Sequence, residues 1–171
     1  QEMSRGLGDV YKRQGYLSGQ IGVGELSSGM VKVPDTQLNV MIVPGIRGVS
    51  VAGLNDVVRG EETLLAGWLQ QQTDCEAVFC LPGTHSKWIV AREGQVNQLT
   101  TFMTGELFEL MRTRSILAPL IDSQAVADSK SDIFCKGLTL AKSAAGLLHQ
   151  MFAIRAGALT CLLYTSDAAD E

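Results

Sequence analysis

Apolar residues in this chain fall into short blocks, some with strand spacing and some with helix spacing, separated by Pro-Gly and Gly-containing breaks. "NVMIVPG" (39–45) reads as a buried strand stopped by Pro44-Gly45, a dipeptide that marks turns. "EETLLAGWLQQ" (61–71) reads as a helix with Leu64, Leu65, Trp68 and Leu69 on one face. Glu61 and Glu62 occupy its first turn, where the helix dipole favours anions. "EAVFCLPG" (76–83) is a second apolar strand ending in another Pro-Gly, and "SKWIVA" and "QVNQLTTF" are two more, joined by "REG" with Gly94. "TGELFELMRTRSIL" (104–117) predicts a helix capped by Thr104, with Glu106 and Glu109 early and Arg112 and Arg114 late. Leu138, Ala141, Ala145, Leu148 and Phe152 continue as an amphipathic stripe that reads as a core-facing helix, after an exposed connection over 119–135. The early glycines of "GQIGVGELSSG" (19–29) complete no Gly-x-Gly-x-x-Gly fingerprint and predict a flexible surface segment. The class is mixed α/β.

Composition narrows this picture. With 171 residues, 46% hydrophobic and 19% charged, the chain is globular and long enough for one core or parts of two lobes. A net charge of −4 offers no basic field for nucleic acid. No apolar run reaches the roughly 18–20 residues of a membrane span. A cytoplasmic protein without membrane or nucleic-acid partners is expected, and its assembly state, a homo-oligomer included, stays open. Cysteines at 75, 80, 135 and 161 form no Cys-x-x-Cys pair and are expected to be buried thiols. Cys75, Cys80 and His85, spaced by five, do not converge as metal ligands do, so no metal site is expected there. The ends "SRGLGDVYKRQ" and "CLLYTSDAADE" resemble translated sequencing-adapter read-through, so residues 1–14 and 161–171 are expected to be non-native tails.

Two clusters carry candidate chemistry. In "CLPGTHSKWIV" (80–90) a hairpin turn holds Gly83, Thr84, His85, Ser86 and Lys87. Glycine permits close approach to main-chain N–H groups, and the hydroxyl and nitrogen donors suit a polyanion such as phosphate. A solvated hairpin tip without ligand would have the same composition. In "NDVVRGEETLLAGW" (55–68) Asp56, Arg59, Glu61 and Glu62 gather at a helix start. Acids placed only for the helix dipole would look alike there. In a two-lobed nucleotide-binding fold, however, that helix start and the next hairpin would face each other across a cleft. A carboxylate opposite a phosphate-gripping turn is what phosphoryl transfer to an alcohol needs.

"IVPGI", "DVVRGEETLLAG", "LPGTHSKWIV" and "TFMTGELFELMRTRSIL", in this order and at these gaps, strongly resemble the 2-dehydro-3-deoxygalactonokinases over about residues 20–160. The resemblance implies an actin-like ATPase (ribonuclease H-like) two-lobed sugar kinase fold, here incomplete, with residues 15–74 ending the first lobe and 75–160 starting the second. It implies ATP with Mg2+, and a 2-keto-3-deoxy sugar acid phosphorylated at its terminal hydroxyl in galactonate or galactose breakdown. By the same resemblance, Gly83, Thr84, His85, Ser86 and Lys87 are nucleotide-phosphate candidates. "RGEET" is also similar to the Gly-x-Glu-Glu-Ala helix start of the exopolyphosphatases, which favours Glu61 as general base and Glu62 as a structural or metal-water partner. Asp56 is the rival base, because "Asn-Asp" before a helix resembles the base position of bacterial glucokinases. Arg59 could clamp the substrate carboxylate bidentately, and Glu106 could meet sugar hydroxyls.

The chain departs from that pattern by omission. It contains no Asp-x-Gly-x-Thr segment to grip the triphosphate and no late glycine-rich adenosine segment. The chain alone is therefore expected to be inactive. A non-catalytic, sugar-binding regulator of the same fold is the alternative, although acids at 56, 61 and 62 favour catalysis, since a sensor needs no base.

Overall fold

The computed structural model describes residues 15–34, 37–71, 75–121, 128–142 and 146–157. The chain divides into two compact units, Gln1–Gly105 and Glu106–Glu171. The first unit begins with strand β1 (Tyr16–Ser18), helix α1 (Val23–Ser28) and strand β2 (Val31–Lys32). Strands β3 (Met41–Ile42), β4 (Gly45–Val49) and β5 (Asn55–Val58) follow, then helix α2 (Glu62–Leu69). Strands β6 (Ala77–Leu81), β7 (Ser86–Arg92) and β8 (Gln95–Phe102) complete it, together with the first two residues of helix α3 (Thr104–Arg114).

Among the described residues β1, β4 and β5 form one sheet, β2 and β3 a second, and β6, β7 and β8 a third. The β1–β4 pair is parallel, with Tyr16 opposite Gly45, and the intervening α1 makes the crossover that a parallel pair requires. The other pairs are antiparallel. One core holds the unit together. Ile21, Leu26, Ile46, Val58, Leu65, Leu69, Ile89, Ala91, Val96 and Leu99 are buried in a single cluster drawn from both three-stranded sheets and both helices. The unit thus contains the strands on either side of position 74/75.

Most elements form where periodicity places them. Helix α2, the β6–β7–β8 meander and α3 occupy their expected segments, and Glu93-Gly94 makes the β7–β8 turn with both residues at positive φ. Four readings need correction. Pro44-Gly45 does not stop a strand: β3 is short, and β4 starts at Gly45 itself. Glycine is needed there for close approach, because a Cβ would lie 2.7 Å from the Val58 carbonyl oxygen and from the Tyr16 ring. The segment 19–29 is not loose surface chain. Ile21 bridges Val96, and Leu26 on α1 is 1% exposed, so tertiary contacts order a stretch that looks flexible by composition. On α2 the buried apolar residues are Leu65 and Leu69, with Trp68 stacked edge-on against Phe79, whereas Leu64 points to solvent. Finally, Cys75, Cys80 and Cys135 are exposed, not buried. Cys80 lies on β6, where alternate side chains face outward. Cys161 and both expected tails lie outside the described residues.

The second unit contains the rest of α3, a 3-10 turn (Ala118–Leu120), α4 (Asp132–Ala141) and α5 (Leu147–Arg155). The expected single stripe over 138–152 is split, because Gly146 at φ +81° starts α5 as a separate helix. Leu138, Leu148 and Phe152 are exposed, so the stripe faces no core among the described residues, and Ala145 lies outside them. Ser131 caps α4 by accepting the Phe134 amide, so this helix starts inside the expected connection. No helix among the described residues is long and apolar enough to cross a membrane.

Candidate active site

Strand β5 leads through Arg59-Gly60, with Gly60 at φ +109°, directly into Glu61, the residue preceding α2. The two adjacent glutamates are then used differently. Glu62 turns inward, is 3% exposed, and accepts the Gly60 amide. Glu61 is half-buried, and its Oε2 is buried without a hydrogen-bond partner. Buried carboxylate oxygens are nearly always satisfied, so an unsatisfied one marks a place where a ligand's donor would be welcome.

Burial pushes the Glu62 carboxyl above the usual glutamate range, and the adjacent Glu61 charge adds to the rise. The Gly60 and Glu62 amides and the Arg59 guanidinium oppose it. A raised folded-state value means that the group favours folding fully below its unfolded value, and that this contribution is lost as pH rises through the folded value. Glu62→Gln is therefore expected to gain stability relative to the parent between pH 4 and pH 7. Urea unfolding at the two pH values checks this, and an unchanged difference would contradict it.

Arg59 stacks on Tyr16, its guanidinium carbon 4.6 Å from the ring centroid, with a long contact from Nη2 to the Gly15 carbonyl (3.5 Å). Asp56 is fully engaged. Its Oδ1 accepts from the Val57 amide (2.7 Å) and the Thr101 hydroxyl (2.6 Å), and its Oδ2 accepts from the Thr101 amide (2.6 Å).

The turn between β6 and β7 presents Pro82, Gly83, Thr84 and His85 to solvent, with Ser86 half-buried behind them. The first turn of α3 supports this loop. The Ser86 and Thr104 hydroxyls are hydrogen-bonded to each other. Gly105 abuts the loop backbone so closely that a Cβ would lie 2.5 Å from the Gly83 carbonyl oxygen and 2.9 Å from Thr84 Cα. Lys87, expected beside the phosphate donors, carries its ammonium inward. It is 9% exposed and donates to the Val57 carbonyl (2.9 Å) and the Thr101 hydroxyl (3.0 Å). Glu106 falls in the second unit, in the first turn of α3.

The two sequence clusters are therefore joined at their bases: Asp56 and Lys87 meet through Thr101. Thr101, Thr104 and Gly105 lie in the "TFMTGELF" segment, but none of them is a site residue expected from the sequence. Among the described residues no group of three His, Cys, Asp or Glu side chains could hold a metal ion.

Fold and site define a mixed α/β protein in which β5, the strand leading to the acidic helix start, is hydrogen-bonded to β7 and β8 beside the donor-rich hairpin turn. The sequence model of the 2-keto-3-deoxy-galactonokinase family matches residues 9–171, and the chain belongs to that family. A protein of Rhizobium meliloti named as a "probable 2-dehydro-3-deoxygalactonokinase" is 30% identical over 161 residues, 94% of this chain and 51% of that protein. The 2-dehydro-3-deoxygalactonokinase of Escherichia coli is 33% identical over 141 residues, 82% of this chain and 45% of that protein. A solved structure of a 2-dehydro-3-deoxygalactonokinase-type protein from Sinorhizobium meliloti superposes with a TM-score of 0.75 at 29% identity, covering 88% of this chain and 50% of that one. The chain thus spans about half the length of the curated relatives it matches.

Proposed function

We propose that the chain carries the acid cluster and one phosphate-binding turn of a cytoplasmic kinase. That kinase transfers a phosphoryl group from ATP to the terminal hydroxyl of 2-dehydro-3-deoxy-D-galactonate. The observation that carries the reading is the contrast between the two glutamates. Glu62 Oε2 is tied to a backbone amide, while Glu61 Oε2 is buried and lacks a donor. An alcohol hydroxyl would supply that donor, and Glu61 would take its proton as the oxygen attacks phosphorus. Glu62, held below the turn, orients the glutamate before it.

The phosphate side falls to the loop over residues 83–86. Gly83, Thr84 and His85 are exposed, and Ser86 is steadied by Thr104. These groups fit a phosphate by their donor chemistry. ATP supplies the transferable phosphoryl group, and Mg2+ would come bound to its phosphates, as it commonly does. Arg59, held over the Tyr16 ring, is assigned to the sugar acid's carboxylate, which a guanidinium recognises bidentately.

In this reading β1–β5 and β6–β8, which share one core, are parts of an actin-like fold. Their partner segments for triphosphate and adenosine belong to the rest of the protein. The 171-residue chain alone is then expected to be inactive as a kinase. Thr84→Val tests the loop. In a protein of full family length containing this chain, it is expected to weaken ATP binding about 10- to 100-fold, the worth of one hydrogen bond to a charged group, and to leave sugar-acid affinity in place. Calorimetry that finds ATP affinity unchanged would remove the loop from the nucleotide site.

A further inference from the structure

Thr101 belongs to neither sequence cluster, yet it links them atom by atom. Its hydroxyl donates to Asp56 Oδ1 (2.6 Å) and accepts from Lys87 Nζ (3.0 Å), while its amide donates to Asp56 Oδ2 (2.6 Å). A hydroxyl has one proton, and an ammonium can only donate, so the direction is fixed from Lys87 to Thr101 to Asp56. Lys87 closes the ring on the Val57 carbonyl (2.9 Å). Asp56 and Val57 lie on β5, whose next residues are the Arg59–Glu62 turn. Lys87 and Thr101 face each other across β7 and β8, immediately after the 83–86 loop and before α3. Hydrogen bonds to charged groups are the strong kind, and low exposure at Lys87 limits competition from water.

We infer that Thr101 is a positioning residue for phosphoryl transfer, fixing the Glu61 turn relative to the 83–86 loop by holding Asp56 and Lys87 at once. The inference rests on the reading of Glu61 as base and of the loop as phosphate site. Asp56 and Lys87 hold the frame through this residue, and neither is the reacting group. Misplacement of a reacting group by about 1 Å is worth on the order of 10²-fold in rate, so a tie of this kind acts on kcat.

The test uses a protein of full family length that contains this chain. Thr101→Val keeps the shape and removes the hydroxyl. It is expected to lower kcat about 10- to 100-fold with KM for both substrates little changed, and Thr101→Ser is expected to restore most of the rate. In a Glu61→Gln background the valine is expected to cost nothing further, because the group it displaces no longer works. A folded Thr101→Val at the parent rate, or losses that multiply in the double variant, would overturn the inference. If valine at 101 prevents folding, Lys87→Met serves instead. A lowered kcat with unchanged ATP affinity supports the tie, whereas ATP bound about 10-fold more weakly at unchanged kcat makes Lys87 a phosphate ligand and sinks it. Glu61→Gln at the parent rate would defeat the base reading itself, and it shows in the single variant before Thr101 is touched, so the two failures are told apart.

Discussion

Glu61→Gln, in a protein of full family length containing this chain, is expected to lower kcat by about 10²–10⁴-fold, the usual contribution of a general base. The amide is nearly the same size, so α2 should start as before, and ATP affinity should barely move. The expectation comes from what each carboxylate is already doing. Glu62 holds the Gly60 amide, and Asp56 accepts from the Val57 amide and from both the hydroxyl and the amide of Thr101. Glu61 Oε2 is buried and has no donor. A near-normal rate in Glu61→Gln together with a dead Asp56→Asn would reverse the assignment in favour of the glucokinase-like position.

The second large effect is on stability. Leu65→Ala is expected to destabilise the chain by about 2–5 kcal/mol, the range for deleting a fully buried leucine, where lost transfer energy and a residual cavity add. Leu65 is 1% exposed in the core cluster shared by α2 and both three-stranded sheets, so neighbours on several sides constrain any collapse into the gap. Leu64→Ala, at a position 67% exposed, serves as the control and should stay within about 0.5 kcal/mol. Urea unfolding of the two variants measures the difference. Equal losses would mean that α2 packs by another face.

Much of this was legible in the sequence where local spacing and tertiary environment agree. The β7–β8 hairpin, α2 and α3 follow from alternation, helical spacing and turn residues. Legibility failed where burial is decided from a distance. The α1 region looks loose in isolation, and only its packing of Ile21 and Leu26 into the shared core orders it. Gly45 sits beside a proline and reads as a turn, yet its missing Cβ serves the approach of β5 and Tyr16.

The candidate site divides in the same way. The acid pair and the donor loop stand out as motifs, but the Thr101 link does not. Counting back from the Glu93-Gly94 turn would set Thr100 opposite Lys87. A register shift between Val90 and Ala91 brings Thr101 there instead. One irregularity of this kind reverses which side chain faces the neighbouring sheet, and sequence spacing does not reveal it.

One assay tests the kinase reading most directly. A protein of full family length containing this chain is given ATP, Mg2+ and 2-dehydro-3-deoxy-D-galactonate, and the sugar product is followed by mass spectrometry beside its Glu61→Gln variant. A singly phosphorylated sugar acid is expected, formed at a rate that falls about 10²–10⁴-fold in the variant. Tight binding of the sugar acid with no phosphorylated product in the parent protein would contradict it.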